Sequence, residues 1–146
     1  EGRKIVRNYG RDPRLGKYFF TCCERCGRPI DEKKPDCCKV CGHSVFVKGV
    51  YQRIKELSGK EGKRTSLYGR PPYIHQVPLQ FIPKLGPKRL EKLRERFGTD
   101  MNIIHEAAKE DLEQIVPEEV SEKILLARIG KLSIQSGGAG RYGKVE

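Results

Sequence analysis

The chain has no tryptophan, one methionine and three histidines, and hydrophobic residues make up only 36% of its 146 positions. That supply is too thin for one large core. It favours small modules, one of them closed by something other than apolar burial. No apolar run approaches the ~20 residues that cross a bilayer. Residues 1–18 also lack the apolar stretch of a signal peptide, so the expected location is cytoplasmic, at the nucleoid. Negative charge is scarce as well. Against 30 Lys and Arg stand 19 Asp and Glu, a net charge of +11, which suits a polyanionic partner. The excess sits in residues 1–75, with 18 basic and 8 acidic side chains. Residues 76–146 are nearly balanced but polarised, with a basic stretch from Lys84 to Arg96 and eight carboxylates between 100 and 122.

All six cysteines fall within residues 22–41. Cys23 and Cys26 form one C-x-x-C, Cys38 and Cys41 a second, and Gly27 and Gly42 follow them. Two residues between thiolates let a tight turn aim both sulfurs at one ion. Two such turns supply the four ligands of a tetrahedral zinc, and a glycine after each allows the positive φ the turn needs. A disulfide knot fits poorly without a signal peptide, and a redox pair needs a single C-x-x-C. Cys22 and Cys37 each precede a ligand, so C-x-x-x-C pairings are formally available. The paired geometry favours Cys23 and Cys38 and leaves Cys22 and Cys37 as small buried side chains. Four thiolates leave no open position for water, so the expected Zn2+ is structural.

After the cysteines, Val45–Val47 reads as a strand, and Val50, Ile54 and Leu57 recur at helical spacing up to Gly59. Residues 59–75 are rich in Gly, Ser, Pro and charge, as in a linker. The next module reads as entirely helical. It opens with a turn at "VPLQFI" and continues with a helix that begins at Pro87, buries Leu90, Leu93 and Phe97, and stops at Gly98. Two short helices follow, then one with Val120, Ile124 and Ala127 inward. The expected fold class is α+β, a small four-cysteine zinc ribbon followed by an all-α module. The boundaries are an N-terminal extension at 1–19, ribbon and helix at 20–58, linker at 59–75, helical module at 76–130 and Gly-rich tail at 131–146. The tail reads as flexible or tightly turned.

In "IPKLGPKRLEKL", residues 82–93, a turn at Gly86 precedes a helix start. Unpaired amides there, the helix dipole and the cations Lys84, Lys88 and Arg89 would bind a nucleic-acid phosphate. The amides of Leu85 and Gly86 are the expected donors. A hairpin that only packs two helices is the plainer alternative. The segment resembles the helix-hairpin-helix motif, with Lys84 where its first glycine usually stands. Residues 115–124 repeat the pattern with Glu118, Glu119 and Val120 in the turn. That copy reads as structural, its acidic stretch facing away from nucleic acid.

The order of the parts, "CxxC…CxxCG", "VKGVYQRIKELS", "RPPYIHQVPLQFIPKLG" and "GGAGRYGKV", resembles the C-terminal portion of the endonuclease Q family of DNA-repair enzymes. In that family a PHP-type hydrolase domain, using divalent metal ions, nicks DNA 5′ of uracil, hypoxanthine or abasic sites. The zinc and helical parts grip the DNA. The resemblance implies DNA and an upstream PHP-type domain in cis as partners. A PHP-type site needs a His, Asp and Glu cluster, whereas His43, His75 and His105 share no His-x-His spacing. No catalytic residue is therefore expected in this chain. His75 and His105 read as core or interface residues. The alternatives are a non-enzymatic zinc-ribbon and hairpin module attached to a helicase, topoisomerase or ligase, or an RNA-binding zinc protein.

Overall fold

The computed structural model describes residues 8–30, 36–58 and 71–146. The chain divides into two compact units that interleave in sequence. One contains residues 1–12, 73–134 and 145–146, and the other residues 13–72 and 135–144. Residues 13–19 and most of the expected tail thus share a unit with the cysteines. Most of the expected linker, residues 59–70, lies outside the described residues, as do residues 1–7 of the N-terminal extension.

The helical unit is built from α2 (Pro87–Phe97), α3 (Asp100–His105), α4 (Lys109–Glu113) and α5 (Glu118–Arg128), preceded by a single 3-10 turn at Leu79–Phe81. Proline at the first position starts α2, and Gly98, at φ 82°, ends it. Thr99 caps α3 by accepting a hydrogen bond from the Asn102 amide at 3.2 Å. The far end of α3 is closed by Arg128, whose guanidinium donates to the carbonyls of Ile104 and Ala107 at 2.5 and 2.6 Å. Leu90, Leu93, Ile103, Ile104, Leu112, Val120 and Ile124 fill the core between these helices. Phe97 packs against its margin.

Residues 77–130 are helices and connecting turns, as the spacing had implied, and the unit adds a strand pair formed by segments that precede them. Strand β1 (Asn8–Arg11) pairs in parallel with β4 (Tyr73–Gln76), Asn8 beside Tyr73 and Arg11 beside Gln76. A pairing over so long a sequence separation leaves no local periodicity to read. Gly10 lies directly under the Tyr73 ring, where a Cβ would come within 1.6 Å of the phenolic oxygen.

In the other unit β2 (Cys22–Cys23) runs antiparallel to β3 (Phe46–Val47), and α1 (Val50–Ser58) follows. Val50, Ile54 and Leu57 stand at helical spacing but are all more than half exposed. Phe19, Phe20 and Tyr51 form an aromatic triad with centroids 5.0–5.3 Å apart. Gly49 crosses so close to Phe20 and Thr21 that a Cβ would approach their backbone to 2.2 Å. A last pair of short strands, β5 (Ile134–Gln135) and β6 (Lys144–Val145), completes the order of elements.

Arg94 on α2 grips Asp100 at the start of α3 with two hydrogen bonds, 2.7 and 2.9 Å. The hydrogen bonds from Arg94 hold the Asp100 carboxyl below the usual carboxylate range. A depressed folded pKa stabilises above the unfolded value, near 3.9, and that stabilisation fades as the pH falls through the folded value. Asp100→Asn should therefore destabilise the unit at pH 7 by at most about 1 kcal/mol, the range of solvent-screened pairs. In urea titrations the gap between variant and parent should close as the pH drops below that depressed value.

Candidate metal centre and hairpin site

The two C-x-x-C turns adopt the same geometry. Gly27 N–H donates to Cys23 O at 2.9 Å, and Gly42 N–H to Cys38 O at 2.7 Å. Cys23 N–H donates to Arg28 O, and Cys38 N–H to His43 O. Gly27 and Gly42 sit at φ 69° and 70°, where a side chain is strained, which explains a glycine after each pair. The turns bring all four sulfurs within 4.8 Å of one another. The Cys23–Cys41 and Cys26–Cys38 separations are both 3.6 Å. A tetrahedron with ~2.3 Å metal–sulfur bonds has edges of about 3.8 Å, so the quartet fits one ion. Among the described residues, no other group of three or more His, Cys, Asp or Glu side chains converges in this way.

Local electrostatics support the same use. The amides of Val40 and Cys41 donate to the Cys38 sulfur and lower its pKa to about 6. The His43 amide favours a Cys41 thiolate, but desolvation and the neighbouring thiols outweigh it and push Cys41 up to about 12. One thiolate forms readily; the full set needs a cation to offset the mutual repulsion. Cys22 is buried, and that burial raises its pKa. Cys37 is exposed, not the small buried side chain expected of it. His43 lies 3.5 Å from Glu24 rather than among the ligands.

The hairpin between the 3-10 turn and α2 surrounds a surface pocket of about 590 Å³ lined by Lys84, Leu85, Gly86, Pro87, Lys88 and Arg89. The expected donors need one correction. Leu85 N–H is spent on Ile82 O at 3.2 Å, and its side chain is buried in the core. The amides of Gly86 and Lys88 have no acceptor among the described residues, so they are the pair available to an anion. Gly86 is also unstrained, at φ −72°, and a Cβ there would meet nothing within 4 Å. The strained residue is Lys84, at φ 65°, where the motif's first glycine was expected. Arg89 braces this turn by donating to Lys84 O at 2.9 Å. Lys84 Nζ contacts Glu119 at 2.5 Å, so this part of the acidic stretch reaches the hairpin instead of facing away. Lys88 is exposed and has no ion pair among the described residues.

The remaining histidines are not ligands. His105 bonds Gln76 at 2.6 Å, while His75 is exposed and packs edge-on against Tyr73 rather than in a core.

The fold and most of the sequence have counterparts among known proteins. The lesion-specific endonuclease PfuEndoQ from Pyrococcus furiosus superimposes with a TM-score of 0.77 and 31% identity over the whole chain. The resemblance is to endonuclease Q. An endonuclease Q in complex with a 27-mer duplex substrate with an abasic lesion at the active site gives 0.73 and 32%. The chain spans 39% of each of these proteins. It is also 49% identical, over its full length, to the uncharacterised protein YqxK of Bacillus subtilis, and covers 37% of it. Identity to the uncharacterised protein MJ0043 of Methanocaldococcus jannaschii is 38% over 97% of the chain and 19% of that protein. No family model matches the chain.

Elemental analysis of the purified chain should give one metal ion per monomer. Cys26→Ser or Cys41→Ser should abolish it, and Cys22→Ser should retain it. Full metal content in Cys26→Ser would remove that sulfur from the site. At Lys84 the usual order of substitutions should reverse. A left-handed residue costs about 1–2 kcal/mol unless it is glycine, so Lys84→Gly should exceed Lys84→Ala in stability by about 1 kcal/mol. Equal denaturation midpoints would contradict the strain at this turn.

Proposed function

We propose that the chain is the DNA-binding, C-terminal part of an endonuclease Q-like repair enzyme, and that its four cysteines hold structural Zn2+. Borderline-soft zinc is the common occupant of a closed tetrahedral site of four thiolates. The zinc fixes the ribbon and takes no part in chemistry. The helix-hairpin-helix turn binds a DNA phosphate. The observation that carries this reading is the pair of unpaired amides, Gly86 and Lys88, at the start of α2 beside a lysine with no ion pair among the described residues. Such a site positions a backbone and reads no base. Lesion choice and hydrolysis then belong to a PHP-type domain in cis. That domain nicks 5′ of deaminated bases such as uracil and hypoxanthine, or of abasic sites. The likeness to a lesion-specific endonuclease and to a duplex-bound one supports this division of labour.

Anisotropy titration of a short duplex at several salt concentrations tests the hairpin. Lys88→Ala should weaken binding to all sequences alike and flatten the log K against log salt slope by about 0.9, one phosphate's worth. Gly86→Val should weaken binding further while leaving the thermal midpoint unchanged, because its side chain enters open space that the phosphate needs. If both variants bind as the parent does, the hairpin only packs helices. The chain alone should leave uracil-containing DNA intact with magnesium, manganese or zinc, and cleavage should require the PHP-type domain in cis.

A further inference from the structure

The glycine-rich segment 137–143 is a hairpin fitted to the cysteine unit by its backbone. Gly137 N–H donates to Arg14 O at 2.8 Å, and Gly137 O accepts from Phe20 N–H at 3.0 Å. Gly140 N–H donates to Lys17 O and Gly143 N–H to Leu15 O. Gly138 and Arg141 exchange hydrogen bonds across the tip, with Ala139 and Gly140 at φ 49° and 80°. The glycines are required by closeness. A Cβ on Gly137 would lie 2.3 Å from Gly16 O, and one on Gly138 would lie 2.3 Å from the Cys22 sulfur. A Cβ on Gly143 would lie 2.4 Å from Arg14 O. This explains why Cys22 is small and buried although it is not a ligand.

The fitted hairpin places particular side chains together. Lys17 Nζ stands 4.7 Å above the Tyr142 ring. The Tyr18 hydroxyl is 3.8 Å from where a Gly140 Cβ would be, and Arg141 Nη1 is 3.8 Å from the corresponding point on Gly27. Tyr18 and Tyr142 are more than half exposed. Lys17, Arg141 and Lys144 are exposed and form no ion pair among the described residues, whereas Lys84, Arg94, Arg96, Lys109 and Lys123 are each carboxylate-paired. Residues 13–22 and 136–145 contain no Asp or Glu at all. A fixed backbone thus holds three cations without a carboxylate partner among the described residues, and two exposed aromatic rings.

The geometry points to a second DNA contact here, a site for an unpaired strand. Its phosphates meet Lys17, Arg141 and Lys144, and its bases stack on Tyr18 and Tyr142. Stacking on exposed rings requires bases that have left the duplex stack, which is why the occupant is single-stranded. Cations beside the rings favour the same ligand. The inference rests on the DNA-binding reading above but uses none of the hairpin residues 84–89.

The test titrates the full 146-residue chain with a fluorescent 20-mer of deoxythymidine and with a 20-base-pair duplex, across salt concentrations. Arg141→Ala with Lys144→Ala should weaken single-strand binding about tenfold and flatten its salt slope by about 1.4, since each phosphate contributes about 0.7. Tyr18→Leu and Tyr142→Leu should each weaken the single strand about tenfold and change duplex affinity less than twofold. Metal content and thermal midpoint, measured on every variant, should match the parent. Arg53→Ala, on α1, serves as the cation control and should change neither ligand. Lys88→Ala separates the two readings. If it lowers duplex affinity while the 141/144 and tyrosine variants bind the single strand normally, this surface is refuted and the DNA-binding function stands. If none of the variants lowers either affinity, both fall. A response to the cations without any response to the tyrosines also overturns the unpaired-strand site.

Discussion

Four sulfurs in one small space are the constraint on which the cysteine unit depends. Cys23, Cys26, Cys38 and Cys41 converge within 4.8 Å, a distance that four thiolates cannot share without a cation between them. The buried apolar residues of this unit are few, chiefly Leu15, Phe19 and the cysteines themselves, against a continuous core in the helical unit. A metal ion held by the quartet would contribute on the order of 10 kcal/mol, which that burial does not supply. The knuckle amides, the two positive-φ glycines and the strand pair at Cys22–Cys23 all serve to bring these sulfurs to one point. The glycine hairpin 137–143 depends on them in turn, because its backbone is bonded to the segment leading into the first knuckle.

What was legible in the sequence was local chemistry. The cysteine spacing announced the quartet, and Pro87 and Gly98 marked the ends of α2. The Val120, Ile124 and Ala127 stripe marked the buried face of α5, because a helix buries residues three and four apart. The features without a local signature depend on distant partners. Pairing of Asn8–Arg11 with Tyr73–Gln76 joins segments with the whole cysteine region between them. The return of residues 135–144 to the cysteine unit is equally nonlocal. A run rich in glycine reads equally as flexible or tightly turned, and only the fold shows that the missing Cβ atoms of Gly137, Gly138 and Gly143 make room for a carbonyl or a sulfur. The Val50, Ile54 and Leu57 spacing gave the helix correctly but not its exposure.

The hairpin shows the same division at the scale of a few atoms. Its position and cations could be read from the sequence, but which amide is free could not. That depends on whether the 3-10 turn recruits Leu85 N–H, and it does. Nor could composition show that the left-handed position belongs to Lys84 and not to Gly86. A lysine placed there is strained, and a single exposed ion pair with Glu119 gives little in return. Backbone strain of this kind persists where surrounding structure imposes it. Here the bonds from Arg89 to Lys84 O and from Leu85 to Ile82 O close the turn from both sides.

Glu119 finally alters how the cations of the hairpin rank. Its carboxylate sits against Lys84 and also reaches Lys123 at 3.4 Å, and the Lys84 contact is the main reason its pKa is lowered. A phosphate approaching Lys84 would have to share or displace that carboxylate, so the gain from this lysine is partly cancelled by the pair it gives up. Arg89 is similarly engaged with the Lys84 carbonyl, though its remaining donors stay available. Lys88 carries no such obligation among the described residues. Its side chain and its own amide belong to the same residue, immediately after the proline that starts α2, so one phosphate can meet both a full charge and the dipole end of the helix. For a phosphate bound as proposed, the cation of greatest consequence is therefore Lys88, which has neither a carboxylate nor a carbonyl partner among the described residues, and the acidic repeat that read as only structural takes Lys84 out of that role.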